Sequence, residues 1–117
     1  MQSEHRLRKN SQFQYVYRRG KSCASRELVM LYVRSQRLQV GFSVSRKVGN
    51  SVERNRIRRR LREQFRAIMP TLKTGLYVVV ARESALGASS QVLASSLHSL
   101  VKRLHLQRPV ENKTENQ

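Results

Sequence analysis

Apolar residues recur along this chain with two different periods, and each change of period marks a helix giving way to a strand. Phe13, Val16 and Tyr17 stand at i, i+3 and i+4, the spacing of one helix face. Ser11 and Gln14 have the form of a capping box, and Gly20 follows Arg18 and Arg19 as a stop, which predicts a first helix over residues 11–19. Residues 21–24 have the length of a brief strand. LVMLYV, residues 28–33, is apolar on both parities and predicts a well-buried strand. QVGFSVS, residues 39–45, alternates instead, with Val40, Phe42 and Val44 on one side and Gly41, Ser43 and Ser45 on the other. Helical spacing then returns: at about 100° per residue, Ile57, Leu61, Phe65 and Ile68 fall within one arc. Asn50 and Glu53 form a second capping-box candidate, and Pro70 ends this helix near Met69. LYVVVAR, residues 76–82, is the strongest strand signal. After a loop of small residues at 87–90, Val92, Leu93, Leu97, Leu100, Val101 and Leu104 mark a last amphipathic helix.

Without repeats or a second core, 117 residues suit a single domain, with a basic arm over 1–9, a folded core over 10–106 and a polar tail over 107–117. Charge changes the picture more than any apolar pattern. The formal net charge is +17, and all seven acidic residues are Glu, with no Asp. A charge of this size repels itself, and its usual use is to bind a polyanion. Cys23 is the only cysteine, which leaves no intrachain disulfide or thiolate cluster and favours a reducing compartment. No apolar run is long enough for a membrane span or a signal core, so the cytoplasm is expected.

The charge is densest in GNSVERNRIRRRLREQFR, residues 49–66, which holds seven arginines and two glutamates. On the helix defined by the Ile57–Ile68 stripe, Asn55, Arg58, Arg59, Arg62 and Arg66 occupy the neighbouring arc. Arg56 and Arg60 lie further round, beside Glu53 and Glu63, and Arg54 falls near the apolar longitude in the first turn. Like charges at i, i+4 destabilise a bare helix by a few tenths of a kcal/mol per pair. Docking of the apolar stripe or an anionic partner offsets that cost, so the pattern describes a folded cationic flank built to hold phosphate.

Catalysis by the chain itself is not written in the sequence. Metal-assisted phosphodiester hydrolysis normally needs clustered carboxylates, whereas Glu53 and Glu63 sit among arginines. His5, His98 and His105 are scattered, and no serine occupies a nucleophile elbow. Phe13, Tyr17, Tyr32 and Phe42 either stack on unpaired bases or fill the core, and spacing alone leaves both roles open. Arginine density does not separate DNA from RNA. A ribosomal protein or general RNA chaperone fits the composition as an alternative.

Three motifs in order, F-x-x-V-Y-x-x-G (Phe13 to Gly20), GFSVSRKVGNSVERNRIRRRLRE (Gly41 to Glu63) and VVVAR (Val78 to Arg82), resemble the bacterial ribonuclease P protein subunit over roughly residues 6 to 104. The resemblance implies an α/β (α+β) two-layer sandwich, α-β-β-β-α-β-α, with a four-stranded sheet and a left-handed β-α-β crossover against the general preference. It implies a non-catalytic protein partner of a catalytic RNA, the two together removing the 5′ leader from precursor tRNA, with Mg²⁺ held mainly by the RNA. Residue by residue, Arg54, Asn55, Arg56, Arg58, Arg59 and Arg62 match positions that contact the RNA subunit. Phe13, Tyr17, Phe42, Ser45, Arg46 and Lys47 match a cleft for the single-stranded leader. No metal ligand and no catalytic residue is implied for the protein. Tyr17 stands where Phe is frequent, and Arg46, Arg58 and Arg60 stand where Lys or apolar residues are common. Leu76 replaces a common Asp, and the VMLY segment leaves open which face Tyr32 takes.

Overall fold

The computed structural model describes residues 5–109. The elements run α1 (Asn10–Arg19), β1 (Lys21–Ala24), β2 (Leu28–Arg34), β3 (Gln39–Val44), α2 (Ser51–Ile68), β4 (Gly75–Ala81) and α3 (Ser90–Arg103), with short 3-10 turns at Met69–Thr71 and Glu83–Ala85. This is the expected α-β-β-β-α-β-α order. The strands form one sheet in the order β1-β2-β4-β3. β1 with β2 and β2 with β4 are antiparallel, while β3 and β4 are parallel and joined through α2.

Strand alternation divides the core in two. Leu28, Met30, Tyr32, Val40, Val44, Tyr77, Val79 and Ala81 face α2 and α3, whose Ile57, Leu61, Phe65, Leu93, Leu97 and Leu100 close the larger cluster. These helices and the sheet make the two-layer sandwich. The opposite face carries a smaller cluster of Leu7, Val16 and Val78, flanked by half-buried Phe13, Leu31, Val33, Leu76 and Val80. There α1 lies across the sheet and covers part of it. Tyr32 takes the α2/α3 side: its ring packs edge-on against Tyr77 at 4.9 Å, and its hydroxyl donates to the Thr74 carbonyl at 2.5 Å. Burial pushes its hydroxyl pKa up, and nearby Arg34 pulls it partly back. The Tyr77 hydroxyl, donating to the Lys73 carbonyl at 2.6 Å, is raised further, by burial first and then by Tyr32.

Both ends of the described stretch enter the core more deeply than expected. Within the arm predicted over residues 1–9, Leu7 is buried and its N–H donates to the Val40 carbonyl at 3.0 Å, while Arg6 bridges β3. Residues 1–4 lie outside the described residues. At the other end, His105 adopts φ 57°, the left-handed turn that usually ends a helix on glycine. The Leu106 N–H reaches back to the Val101 carbonyl at 2.9 Å, and Leu106 is fully buried. Gln107 then bridges Leu72, so the predicted tail is docked at its start, and residues 110–117 lie outside the described residues.

Candidate nucleic-acid interface

The arginine helix starts on a complete capping box. The Asn50 side chain accepts the Glu53 N–H at 2.8 Å, and the Glu53 carboxylate accepts the Asn50 N–H at 2.9 Å. A Cβ at Gly49 would stand 2.5 Å from that carboxylate, which would have to shift from its place on the Asn50 N–H. The same residues therefore set the starting point of the helix, and the docked stripe sets which way its arginines face. Ile57, Leu61 and Phe65 are buried as the apolar stripe predicted.

With the stripe docked, the arginines divide by task. Arg56 and Arg59 are exposed and Arg62 half-exposed, and among the described residues no hydrogen bond or ion pair holds any of their side chains. Arg54 is half-buried, and its Nε is shielded from solvent with no partner among the described residues. Arg58 donates to Asn55 Oδ1 at 2.9 Å and approaches the Val44 carbonyl at 3.5 Å, which ties the cationic flank to the end of β3. Arg60 turns the other way and donates to the Ala88 carbonyl at 2.7 Å, fastening the loop before α3. Arg58 is thus partly engaged within the protein, a role that helical spacing alone did not reveal.

Beyond Val44 the chain turns through Ser45, Arg46 and Lys47, all exposed. Ser45 and Lys47 line a concave region of about 450 Å³ with Arg26, Arg82, Ser84 and one carboxylate, Glu83. Arg82 closes the VVVAR run, but nothing in the sequence places it or Arg26 beside Lys47. Arg82 is held by donation to the Ser25 carbonyl at 2.9 Å.

The α1 rings lie on the smaller face of the sheet. Phe13 packs over Gly41 so closely that a Cβ there would collide with its ring. Tyr17, one helical turn on, is 38% exposed. Half-buried Leu31, Val33 and Val80 extend this face. Phe42 does not belong to it, which corrects the placement expected from the resemblance. Its ring points through the sheet to α2 and meets Phe65 edge-on at 5.9 Å, because strand alternation puts it opposite Gly41 and Ser43. The face open to a strand therefore carries Phe13 and Tyr17 from α1, with small residues of β3 beneath.

Among the described residues no three of His, Cys and Glu come together as metal ligands, and no helix is long and apolar enough to cross a membrane. The surface can hold phosphates at fixed points and offer a half-open apolar face to unpaired bases.

The Ribonuclease P family model matches residues 1–105. The ribonuclease P protein component of an Exiguobacterium species is 40% identical over 105 residues, 88% of this chain and 92% of that one. That of Oceanobacillus iheyensis is 34% identical over 118 residues, 97% and 98% of the two chains. Among solved structures, the RNase P protein of Staphylococcus aureus is similar with a TM-score of 0.83 at 31% identity, covering 89% of this chain and 98% of that one. The Thermotoga maritima protein gives 0.76 at 28% identity, with 84% and 96% covered. With the family matched over nearly the whole chain and the same fold found in its solved members, the chain belongs to the ribonuclease P protein family.

Proposed function

We propose that this chain is the protein subunit of ribonuclease P, binding a catalytic RNA through α2 and the 5′ leader of precursor tRNA through the α1 face. The observation that carries the reading is the row Arg56, Arg59 and Arg62, fixed in position by a capped, docked helix and without side-chain partners among the described residues. Arg54 and Asn55 stand in the same first turns, and the buried Arg54 Nε gains a partner if an RNA oxygen reaches it. Phe13 and Tyr17 stack on leader bases, while Ser45, Arg46 and Lys47 hold leader phosphates at the strand end. Endonucleolytic cleavage at the mature 5′ end is chemistry of the RNA, which holds the Mg²⁺ of the holoenzyme. The protein's contribution is binding: its cations offset phosphate repulsion between two RNAs and so lower the Mg²⁺ needed to bring them together. Such a complex works in the cytoplasm, where precursor tRNA is made.

The test is cleavage of a leader-bearing precursor at near-physiological Mg²⁺, with bacterial ribonuclease P RNA alone, protein alone, and both. The expected result is efficient cutting at the mature 5′ end by the combination only. Cutting by RNA-free protein, or no gain over RNA alone, overturns the assignment; co-purification with ribosomal particles would then point to a ribosomal protein.

A further inference from the structure

A second cationic hollow lies at the other end of the sheet. β2 and β4 pair from Leu28 opposite Ala81 to Arg34 opposite Gly75, so the two ends of the sheet are about 20 Å apart at ~3.3 Å per residue. Ser45 to Lys47 sit beyond the Ala81 end. At the Gly75 end, a cavity of about 790 Å³ is lined by Arg19, Lys21, Arg34, Lys73 and Arg108, and no carboxylate of the described residues lines it. The five cations come from the end of α1, the start of β1, the end of β2, the turn before β4 and the stretch after α3. No single helix or charge run explains their meeting.

Two of the five are held by the fold. Lys21 Nζ donates to the Leu104 carbonyl at 3.1 Å and stands 5.8 Å from the centre of the Tyr32 ring, and Arg108 donates to the Pro70 carbonyl. Arg19, Arg34 and Lys73 are exposed, and no hydrogen bond or ion pair engages their side chains among the described residues. Gathering like charges around a hollow costs energy that a bound anion returns. The α2 face does not account for this cluster, because no residue of α2 lines it.

The hollow is continuous with the α1 face. Val33, which also lines the hollow, is one of the half-buried residues of that face, and Arg19 is the last residue of α1. Its one aromatic, Tyr32, is only 8% exposed and spends its hydroxyl on Thr74, which leaves no platform for a base. The wall is suited to phosphates and not to base faces. We propose that this hollow is a second subsite for the leader, taking the phosphodiester backbone of the strand after it has passed Tyr17. The proposal rests on the cleft reading above and adds to it a dependence on leader length.

The test uses the full chain assembled with ribonuclease P RNA and precursors with leaders of about 4 and about 16 nucleotides, the range of common single-strand site sizes. Arg19→Gln, Arg34→Gln and Lys73→Gln are compared singly and together, with Lys102→Gln controlling for removal of one exposed cation. The expected result is that the triple variant binds the long-leader precursor roughly tenfold more weakly and the short one as the wild type does. Its salt slope for the long leader falls by about 0.7 for each phosphate no longer engaged. Lys102→Gln changes neither. Equal losses at both lengths, or none, overturn the proposal. So does binding of tripolyphosphate by the wild type and not by the triple variant without a leader-length effect, which would assign the hollow to a free anion. Tyr17→Ala separates the two readings: no effect at either length removes the cleft, while a length-dependent loss in the pocket variants still supports the hollow. Exposed Arg→Gln and Lys→Gln changes leave the core untouched, and thermal melting of each variant confirms that it folds.

Discussion

Gly41 and Phe42 are adjacent in sequence and serve opposite sides of the sheet. The alternation over residues 39–45 correctly separates Gly41 and Ser43 from Val40, Phe42 and Val44, but alternation does not say which side a given helix will cover. That depends on packing between distant segments: Phe42 meets Phe65 of α2, and Phe13 of α1 lies on Gly41. Tyr32 illustrates the same limit, since its face followed from its fit against Tyr77 and Thr74. The two phenylalanines should therefore fail differently. Phe42→Ala removes a half-buried ring, so it should cost less than the ~3–5 kcal/mol of a fully buried aromatic in urea unfolding, and leave the preference for precursor over mature tRNA unchanged. Phe13→Ala should reduce that preference by about 1–3 kcal/mol, the range for removing a ring that stacks on a base. A weakened preference in Phe42→Ala, with its fold intact, would return Phe42 to the cleft.

α2 was the most legible element, because its start, its stripe and its end each depend on residues close in sequence. Asn50, Glu53, Ile57, Leu61, Phe65 and Pro70 take the roles their spacing predicts. The start of α1 was less so. The capping box expected from Ser11 and Gln14 is replaced by Gln12, whose side-chain oxygen accepts the Arg8 and Lys9 N–H groups at 3.2 Å each, and the helix begins one residue earlier. The carbonyls that engage Arg58 and Arg60 belong to Val44 and Ala88, too far along the chain for any local pattern to show. Since the Asn50 side chain caps the first turn of α2, Asn50→Ala should destabilise the protein by about 1 kcal/mol in thermal or urea unfolding. RNA affinity should fall with it, because the first turn carries Arg54. Asn50→Asp keeps the acceptor and should remain near wild-type stability. If Asn50→Ala is neutral, the apolar stripe alone sets the register of α2.

At the scale of the whole molecule, the order of elements could be read from hydrophobic periods, whereas the docking of both ends of the described stretch could not. Leu7 and Leu106 lie outside the helices and strands, and backbone hydrogen bonds hold them in place: Leu7 to Val40, and Leu106 to Lys73 as well as to Val101 at the end of α3. Those bonds close a domain with 24 Lys and Arg against seven Glu. The free protein is therefore held together against its own charge, and it should be stabilised by whatever neutralises that charge. Screening and site binding differ in how they do this. Screening depends only on ionic strength, with a Debye length of about 10 Å at 0.1 M. An anion bound at fixed cations stabilises by mass action, by about 2.7 kcal/mol at a hundredfold excess over its Kd. In a domain of this size that corresponds to a rise in Tm of roughly 10 °C or more. Pyrophosphate should thus raise the melting temperature well above chloride at matched ionic strength. Removing Arg56, Arg59 and Arg62 together should shrink the difference while raising the melting temperature in chloride, because repulsion is relieved. If chloride and pyrophosphate act alike at equal ionic strength, the arginine row is a diffuse field without discrete phosphate sites, and RNA affinity should then follow net charge whichever arginines are removed.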